Sequence, residues 1–200
     1  MEDHFIRNRV DVTRVANLAT SDERKSGVLN QIPVTLWLTG LSGAGKSTLG
    51  FSLERALLNT GKAAFVLDGD NIRCGLNRDL SFTPRDRAEN IRRTAEVARL
   101  MNEAGLIVIV SLISPYSEDR RRARDIIGEQ RFREVYLSAT LSVCEARDPK
   151  GLYRKARAGE IESFTGVSAP YQIPQKPDLE LNTGVMSVTD CVERMLLMFN

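Results

Sequence analysis

One short segment between a β-rich run and an amphipathic run constrains this chain most. The residues Gly40-Leu-Ser-Gly-Ala-Gly-Lys46-Ser47 match the pattern G-x-x-x-x-G-K-[ST]. The run Val34 to Thr39 before them is typical of a buried strand, and the apolar spacing from Leu49 to Leu58 after them is typical of a helix. A strand, this loop and a helix in that order predict a phosphate-binding loop.

The chemistry of the loop fits a nucleoside triphosphate with a metal ion. Its glycines let successive backbone N–H groups turn toward the phosphates, and the helix N-terminus adds partial positive charge. Lys46 adds a cation, and Ser47 offers a hydroxyl to Mg²⁺. We therefore expect ATP to bind along Gly40, Leu41, Ser42, Gly43, Ala44, Gly45, Lys46, Ser47 and Thr48.

Two carboxylates follow the next apolar run, Ala63 to Leu67, and are separated by one glycine. We expect Asp68 to hold the hydrated Mg²⁺ together with Ser47. Asp70 then accepts a hydrogen bond from an attacking hydroxyl and orients it. The alternative is that both acids only cap the turn at their own position.

Strand-like and helix-like segments alternate along most of the chain. The run Leu106 to Ile113 lacks polar alternation, which is typical of a parallel strand covered on both faces. Helices are predicted from Thr83 to Gly105 and from Ser117 to Gly128. The order predicts an α/β fold, a P-loop NTPase-type three-layer sandwich with a mostly parallel sheet.

Further strands are predicted at Phe132 to Leu137 and Leu179 to Leu181, followed by a helix from Val188 to Phe199. The length of 200 residues suits one domain. We divide it into an N-terminal arm, residues 1–32, and a P-loop domain, residues 33–200.

Composition excludes several classes of protein. Lys and Arg number 28 against 26 Asp and Glu, a balance that does not suit a nucleic-acid-coating protein. The longest apolar run, residues 104–113, is about half of the roughly 20 residues of a membrane helix. Three widely spaced cysteines predict reduced thiols, and we expect a cytoplasmic protein. With His4 the only histidine, catalysis falls to carboxylates, lysine and arginine.

Residues beyond the two acids suggest a pocket for a second ligand. Arg73 and Phe82 precede a helix on which Arg87 and Asn90 share one face, apart from the buried face at Ile91. Guanidinium groups bind oxyanions, and an aromatic ring stacks on a planar group. The pattern therefore predicts a planar, anionic acceptor.

The motifs taken together resemble those of the adenylyl-sulfate kinase family, from about Leu36 to the C-terminal helix. They are Gly-Leu-Ser-Gly-Ala-Gly-Lys-Ser-Thr at 40–48, Asp-Gly-Asp-Asn-Ile-Arg at 68–73, Asp-Arg-Ala-Glu-Asn-Ile-Arg-Arg at 86–93, Ile-Ser-Pro at 113–115, Arg-Asp-Pro-Lys-Gly-Leu-Tyr-Arg-Lys-Ala-Arg at 147–157 and Phe-Thr-Gly at 164–166. The resemblance implies a homodimeric kinase of sulfate activation. It would transfer the ATP γ-phosphate to the 3′-hydroxyl of adenosine 5′-phosphosulfate. Whether a sulfate adenylyltransferase partner accompanies the chain is left open by the sequence.

The resemblance also implies roles for single residues. The acceptor site would comprise Asp70, Arg73, Phe82, Arg87, Asn90, Ser114 and Phe164, with Phe82 and Phe164 stacking on the adenine. Ser114 matches a family serine that is often assigned as a phosphoserine intermediate. Because in-line transfer needs no covalent step, the alternative is that Ser114 only hydrogen-bonds the substrate.

Two basic stretches receive different interpretations. Residues 147–157 carry five basic side chains and one acid, a charge density that predicts a lid outside the core, at about residues 148–172. Its Arg147, Lys150 and Lys155 would close over the triphosphate. The run Arg120 to Arg124 follows acids on a helix and is expected to be a solvated face.

Two other functions remain open at this point. One is a P-loop kinase of a sugar acid or nucleoside, and the other is a nucleotide-binding module without catalysis. The pair Phe82 and Phe164 favours an acceptor that carries a base. The presence of Lys46 with both acids argues against the module.

Overall fold

Five parallel strands form the centre of the fold. In this computed structural model, which describes residues 29–199, the strands lie in the order β2-β3-β1-β4-β5, and every neighbouring pair is parallel. The strands are β1 Thr35–Thr39, β2 Ala64–Asp68, β3 Ile107–Ser111, β4 Phe132–Leu137 and β5 Leu179–Leu181. The predicted α/β class and parallel sheet are confirmed.

Seven α-helices connect and cover the strands within residues 29–199. They are α1 Lys46–Asn59, α2 Gly69–Cys74, α3 Pro84–Glu103, α4 Ser117–Ile127, α5 Leu141–Arg147, α6 Leu152–Arg157 and α7 Val188–Leu196. Short 3₁₀ turns follow at Glu129–Arg131 and Leu197–Phe199. The sequence missed α2, α5 and α6, because six or seven residues are too few to show a helical period.

Alternating side chains of the central strands build two cores, one on each face of the sheet. Leu36 and Leu38 of β1 point into the core covered by α1 and α7, whereas Trp37 between them points into the other. Ile91 of α3 and Ala123 of α4 close that second core. A strand with apolar residues on both faces needs a helical layer on each side, which gives the three-layer sandwich.

Helix α3 shows how the local sequence sets an element boundary. The Thr83 hydroxyl accepts a hydrogen bond from the Asp86 N–H, at 3.1 Å, and Pro84 occupies the first helical position. Both features are favourable helix starts. The predicted N-terminus of this helix is therefore confirmed to the residue.

Both interpretations of the basic stretches need correction. In α6 the side chains of Tyr153 and Ala156 pack into the core, so the prediction that residues 147–157 lie outside it is wrong for one face of the helix. In α4, Arg120 is only 4% exposed, so the predicted solvated face is wrong there. Arg121 beside it is exposed, as expected.

The N-terminal arm lies mostly outside the described residues, which begin at residue 29. At its described end, Gln31 is buried, and its side-chain amide donates to the carbonyls of Ala63 and Gly105 at 2.9 and 2.7 Å. These contacts attach the start of the domain to the N-terminal ends of β2 and β3.

None of the helices between residues 29 and 199 has both the length and the apolar character needed to cross a membrane.

Candidate active site

The phosphate-binding loop follows β1 and has a backbone path that requires glycine. Gly43 has φ +75°, and a Cβ there would lie 2.9 Å from the Cys144 carbonyl oxygen. Gly45 has φ +94° and precedes the first residue of α1, so no side chain caps this helix. The free N–H groups and dipole at the helix start favour an anion.

Lys46 is folded onto the loop. Its Nζ donates to the carbonyl oxygens of Gly40 and Leu41, at 2.9 and 2.7 Å. Burial lowers the pKa of Lys46 to about 8, although nearby Asp68 and Asp70 raise it. A bound phosphate would favour the charged form of this amine, so phosphate binding and protonation of Lys46 support each other.

Asp68 caps the turn at its own position and also contacts Ser47, so the two alternatives offered by the sequence are compatible. Its Oδ1 accepts the Asp70 N–H at 3.1 Å and caps α2, while its Oδ2 accepts the Ser47 hydroxyl at 2.6 Å. A hydroxyl and a buried carboxylate oxygen are hard ligands that suit Mg²⁺. Within residues 29–199 no cluster of three His, Cys, Asp or Glu could hold a metal by itself. A pair of oxygen ligands leaves the remaining positions around Mg²⁺ to waters and to phosphate oxygens.

Asp70 is exposed and forms an ion pair with Lys150. The lysine belongs to the segment between α5 and α6, the start of the predicted lid. The contact links that segment directly to the carboxyl end of β2.

A single cavity of about 890 Å³ joins these groups to the predicted acceptor residues. Its volume is near the upper end of the range for small-molecule sites. The predicted residues that line it are Ser42, Gly43, Ala44, Gly45, Lys46, Ser47, Thr48, Asp68, Asp70, Arg73, Phe82, Arg87, Asn90, Ser114, Arg147, Lys150 and Phe164. Most of the predicted site is therefore brought together.

Three predicted residues do not line the cavity. Gly40 and Leu41, at the start of the loop, do not reach the cavity surface, and their carbonyls accept from Lys46. Lys155 is exposed and lies outside the cavity. Tyr153 occupies the inward face of α6, and a residue two positions further along a helix lies on a different face. The predicted position of Lys155 over the triphosphate stays a prediction that this structure does not support.

The acceptor end carries two arginines around one aromatic ring. The Arg73 guanidinium carbon lies 4.3 Å from the centre of the Phe82 ring, which is 61% exposed. Arg87 donates to the carbonyls of Phe82 and Ser163 and to the Thr165 hydroxyl, at 2.9–3.0 Å. Burial lowers the pKa of both arginines, and the neighbouring charge of Arg87 lowers the pKa of Arg73 further.

Phe164 and Asn90 are more buried than the sequence suggested. Phe164 is 8% exposed and meets the ring of Tyr153 edge-on at 5.0 Å, while still lining the cavity. Asn90 is 4% exposed, and its Oδ1 accepts the Asn77 Nδ2 at 3.0 Å. The predicted placement of Asn90 apart from the buried face of α3 is wrong, because Asn77 covers that flank.

Ser114 follows β3 with the unusual φ of +40°. It is 3% exposed, and its hydroxyl oxygen accepts the indole N–H of Trp37 at 3.1 Å. Its backbone carbonyl accepts an Arg120 N–H at 2.8 Å. Ser114 is therefore fixed from two sides where it lines the cavity.

One wall of the cavity was not predicted from the sequence. Thr183, Met186, Val188 and Cys191, from the segment after β5 and the start of α7, line it as well. The Thr183 hydroxyl donates to the Ala44 carbonyl at 2.8 Å, which joins this wall to the phosphate loop. The rule that ligands bind at the carboxyl ends of parallel strands applies to β5 and gives the missing signal.

The fold and site define a P-loop nucleotide-binding protein with a second ligand pocket. The family model for adenylylsulphate kinase matches residues 32–182. This match covers most of the chain, which therefore belongs to the adenylylsulphate kinase family.

Curated relatives agree with this membership. The adenylyl-sulfate kinase of Prochlorococcus marinus is 53% identical over 163 residues, which are 82% of this chain and 81% of the relative. That of Pseudomonas aeruginosa is 54% identical over 81% of this chain and 83% of the relative. The bifunctional enzyme NodQ of Rhizobium tropici is 54% identical over 90% of this chain, which spans only 28% of NodQ.

Solved structures add a ligand-bound relative. The APS kinase CysC of Mycobacterium tuberculosis, in complex with AMPPNP and APS, superposes with a TM-score of 0.81 at 48% identity, covering 84% of this chain and 98% of CysC. A gluconokinase of Sinorhizobium meliloti, at 19% identity and a TM-score of 0.53, shares the fold alone. The expected family and the class of ATP-dependent kinase are confirmed.

The close approach of Gly43 to Cys144 generates a prediction. We expect Gly43→Ala to lower turnover at least about 100-fold, because the new Cβ must displace the loop from its phosphate-binding path. Gly61→Ala is the matched control, since Gly61 has a similar φ of +77° and no described atom within 4 Å of an added Cβ. Steady-state kinetics and thermal unfolding of both variants make the comparison. Equal turnover in the two would contradict the requirement.

Proposed function

We propose that this chain transfers the γ-phosphoryl group of Mg·ATP to the 3′-hydroxyl of adenosine 5′-phosphosulfate, giving 3′-phosphoadenosine 5′-phosphosulfate and ADP. One observation carries the proposal. A single cavity has the phosphate loop at one end, two arginines and an aromatic ring at the other, and Asp68 and Asp70 at its β2 edge. The likeness to a relative bound to AMPPNP and APS supports it.

The phosphate loop and its neighbours bind the donor. Lys46 exchanges its two loop carbonyls for phosphate oxygens, and the N–H groups at the start of α1 bind the same anion. Ser47 and Asp68 would hold Mg²⁺, which when bound offsets the negative charge of the phosphates. Arg147, which donates to the carbonyls of Gly43 and Thr183, borders the same end.

Asp70 orients the acceptor hydroxyl. Its carboxylate is paired with Lys150, so the lysine moves from Asp70 toward the phosphates when ATP and acceptor are both present. Asp70 then accepts the hydrogen bond of the 3′-hydroxyl and takes its proton as the bond to phosphorus forms. The lid, at about residues 148–172, excludes water from this step and so suppresses ATP hydrolysis.

The acceptor end provides stacking and charge. The exposed ring of Phe82 stacks on the adenine, and Phe164 contacts its other face from the lid. Arg73 and Arg87 bind the anionic phosphosulfate group, and Asn90 donates from the wall of α3.

Ser114 hydrogen-bonds the acceptor and does not carry a phosphoryl group in this proposal. Its hydroxyl oxygen already accepts the indole N–H of Trp37, a contact that a phosphorylated serine would have to change. Direct in-line transfer also needs no covalent carrier.

The assembly and setting of the enzyme are part of the proposal. We infer a homodimer of P-loop kinase domains, residues 33–200, each preceded by an arm, residues 1–32. A sulfate adenylyltransferase is the natural partner, since it forms the acceptor, and the name of the longer NodQ relatives describes a bifunctional enzyme. The cytoplasm supplies ATP and keeps the three free thiols reduced, so cytoplasmic location stays our prediction.

The roles of Lys46 and Asp70 predict loss of chemistry. We expect Lys46→Ala and Asp70→Asn each to lower kcat at least about 100-fold, because one loses phosphate binding in the transition state and the other loses the proton acceptor. Asp125→Asn is the matched carboxylate control, on the exposed side of α4. ADP release is measured with adenylyl sulfate, gluconate, adenosine or no acceptor. Turnover with gluconate or adenosine alone, or none with any acceptor, would contradict the proposed reaction.

The stacking role of Phe82 predicts a selective loss of acceptor affinity. We expect Phe82→Ala to raise the KM of adenylyl sulfate about tenfold and to leave that of ATP within about twofold, since base stacking is worth about 1–3 kcal/mol. Phe51→Ala removes a similarly exposed ring from α1, outside the cavity, and serves as control. A larger change for ATP than for the acceptor would overturn this role.

A further inference from the structure

Arg120, in the first turns of α4, joins three segments that are distant in sequence. Its Nε donates to the Glu134 carboxylate at 2.6 Å, its Nη1 to the Ser114 carbonyl at 2.8 Å and its Nη2 to the Gln172 carbonyl at 2.8 Å. These partners lie in β4, in the loop after β3 and at the end of the predicted lid. Arg120 is 4% exposed, so these contacts and the Tyr171 ring, whose centre lies 5.9 Å from the guanidinium carbon, compensate its charge in place of water.

The C-terminal end of the predicted lid, which we call the lid exit, is hydrogen-bonded to the loop after β3 beside this guanidinium. The Gln172 N–H donates to the Pro115 carbonyl at 2.8 Å, and its side-chain oxygen accepts from the Ser117 N–H and hydroxyl. The hydroxyls of Tyr171 and Thr39 lie 2.9 Å apart, and Thr39 donates to the Ile113 carbonyl. The lid exit and the Ser114 loop therefore form one hydrogen-bonded unit.

Ser114 depends on such support because of its backbone. A φ of +40° is rare for a residue with a side chain and persists only where its surroundings impose it. Arg120 fixes the carbonyl of Ser114, and Trp37 fixes its hydroxyl oxygen. The direction in which this serine faces the cavity is therefore set by two buried donors.

We propose that Arg120, oriented by Glu134, is a positioning residue that holds Ser114 and the lid exit at Gln172 in place for the phosphoryl acceptor. The inference rests on the proposed function and adds a residue to it. Arg120 does not line the cavity, so it acts through Ser114 and Gln172.

The geometry of the contacts requires arginine. A guanidinium is a planar fork whose N–H groups point to three separate partners here, whereas an ammonium group on a flexible stem is a point charge. Lysine at this position keeps the ion pair with Glu134 but cannot reach both the Ser114 and the Gln172 carbonyl. Arg120→Lys therefore keeps the positive charge at this position and removes contacts that hold Ser114 and Gln172.

The test compares Arg120→Lys with Arg121→Lys, the next residue on α4, which is exposed and pairs with Glu118. We expect Arg120→Lys to lower kcat/KM for adenylyl sulfate at least about tenfold, with the KM of ATP within about twofold, because the displaced serine faces the acceptor. Arg121→Lys should stay within about twofold for both substrates. If Arg120→Lys instead changed the KM of ATP as much as that of adenylyl sulfate, Arg120 would have a merely structural role. This result would overturn the proposal.

A second measurement reports on Ser114 without turnover. Trp37 is the only tryptophan of the chain, and it donates to the Ser114 hydroxyl oxygen, so its fluorescence follows the position of Ser114. We expect Arg120→Lys to shift the emission and acrylamide quenching of Trp37 in the same direction as Ser114→Ala. Unchanged fluorescence in folded Arg120→Lys would contradict the proposal.

Two further arms keep the test decisive. If Arg120→Lys does not fold, Glu134→Gln replaces it in the test. This variant keeps an oxygen that accepts from Nε of Arg120. We therefore expect a smaller decrease in kcat/KM for adenylyl sulfate, again with little change in the KM of ATP. If wild-type protein does not phosphorylate adenylyl sulfate, the proposed function fails, and the fluorescence of Trp37 alone decides whether Arg120 positions Ser114.

Discussion

The parallel register of the three strands β2, β3 and β1 is the constraint on which the site depends. In β3, Ser111 lies opposite Asp68 of β2 on one side and opposite Leu38 of β1 on the other. This register brings the carboxylate that ends β2 beside the loop that follows β1. The Ser47 hydroxyl can then donate to Asp68 at 2.6 Å, and these two side chains, which we propose hold Mg²⁺, meet because the strands end together.

Close packing behind the phosphate loop fixes the other half of the site. The Cys144 carbonyl leaves no room for a Cβ at Gly43, and the Tyr153 hydroxyl donates to the Ser42 carbonyl at 2.9 Å. The same α6 that supplies Tyr153 belongs to the lid segment. The phosphate loop and the segment that we propose as the lid are therefore joined by one packed contact.

Local patterns made much of this site predictable. The phosphate loop, the carboxylate at the end of β2 and the capped start of α3 each depend on neighbouring residues. Arg120 could not be interpreted in this way, because its partners Glu134 and Gln172 lie 14 and 52 residues away. The residues of α4 by themselves, a run of arginines that follows acids, have the composition of a solvent-exposed helix face.

The wall after β5 and the burial of Asn90 were missed for the same reason. Thr183 reaches the Ala44 carbonyl across 139 residues, and Asn77 covers Asn90 from a turn that has no periodic pattern. Helix α6 adds a second cause, since three basic side chains among its six residues hide the inward face that Tyr153 and Ala156 form. Sequence patterns indicate which chemistry is present, whereas long-range packing decides which side chains reach the cavity.

Direct transfer between two ligands in one cavity is the central claim. The decisive measurement is the stereochemical course of the reaction, with ATP made chiral at the γ-phosphorus by oxygen isotopes and adenylyl sulfate as acceptor. A single in-line displacement inverts the configuration at phosphorus, which is the result we expect. A phosphoryl group carried on Ser114 requires two displacements, so net retention of configuration would contradict the account.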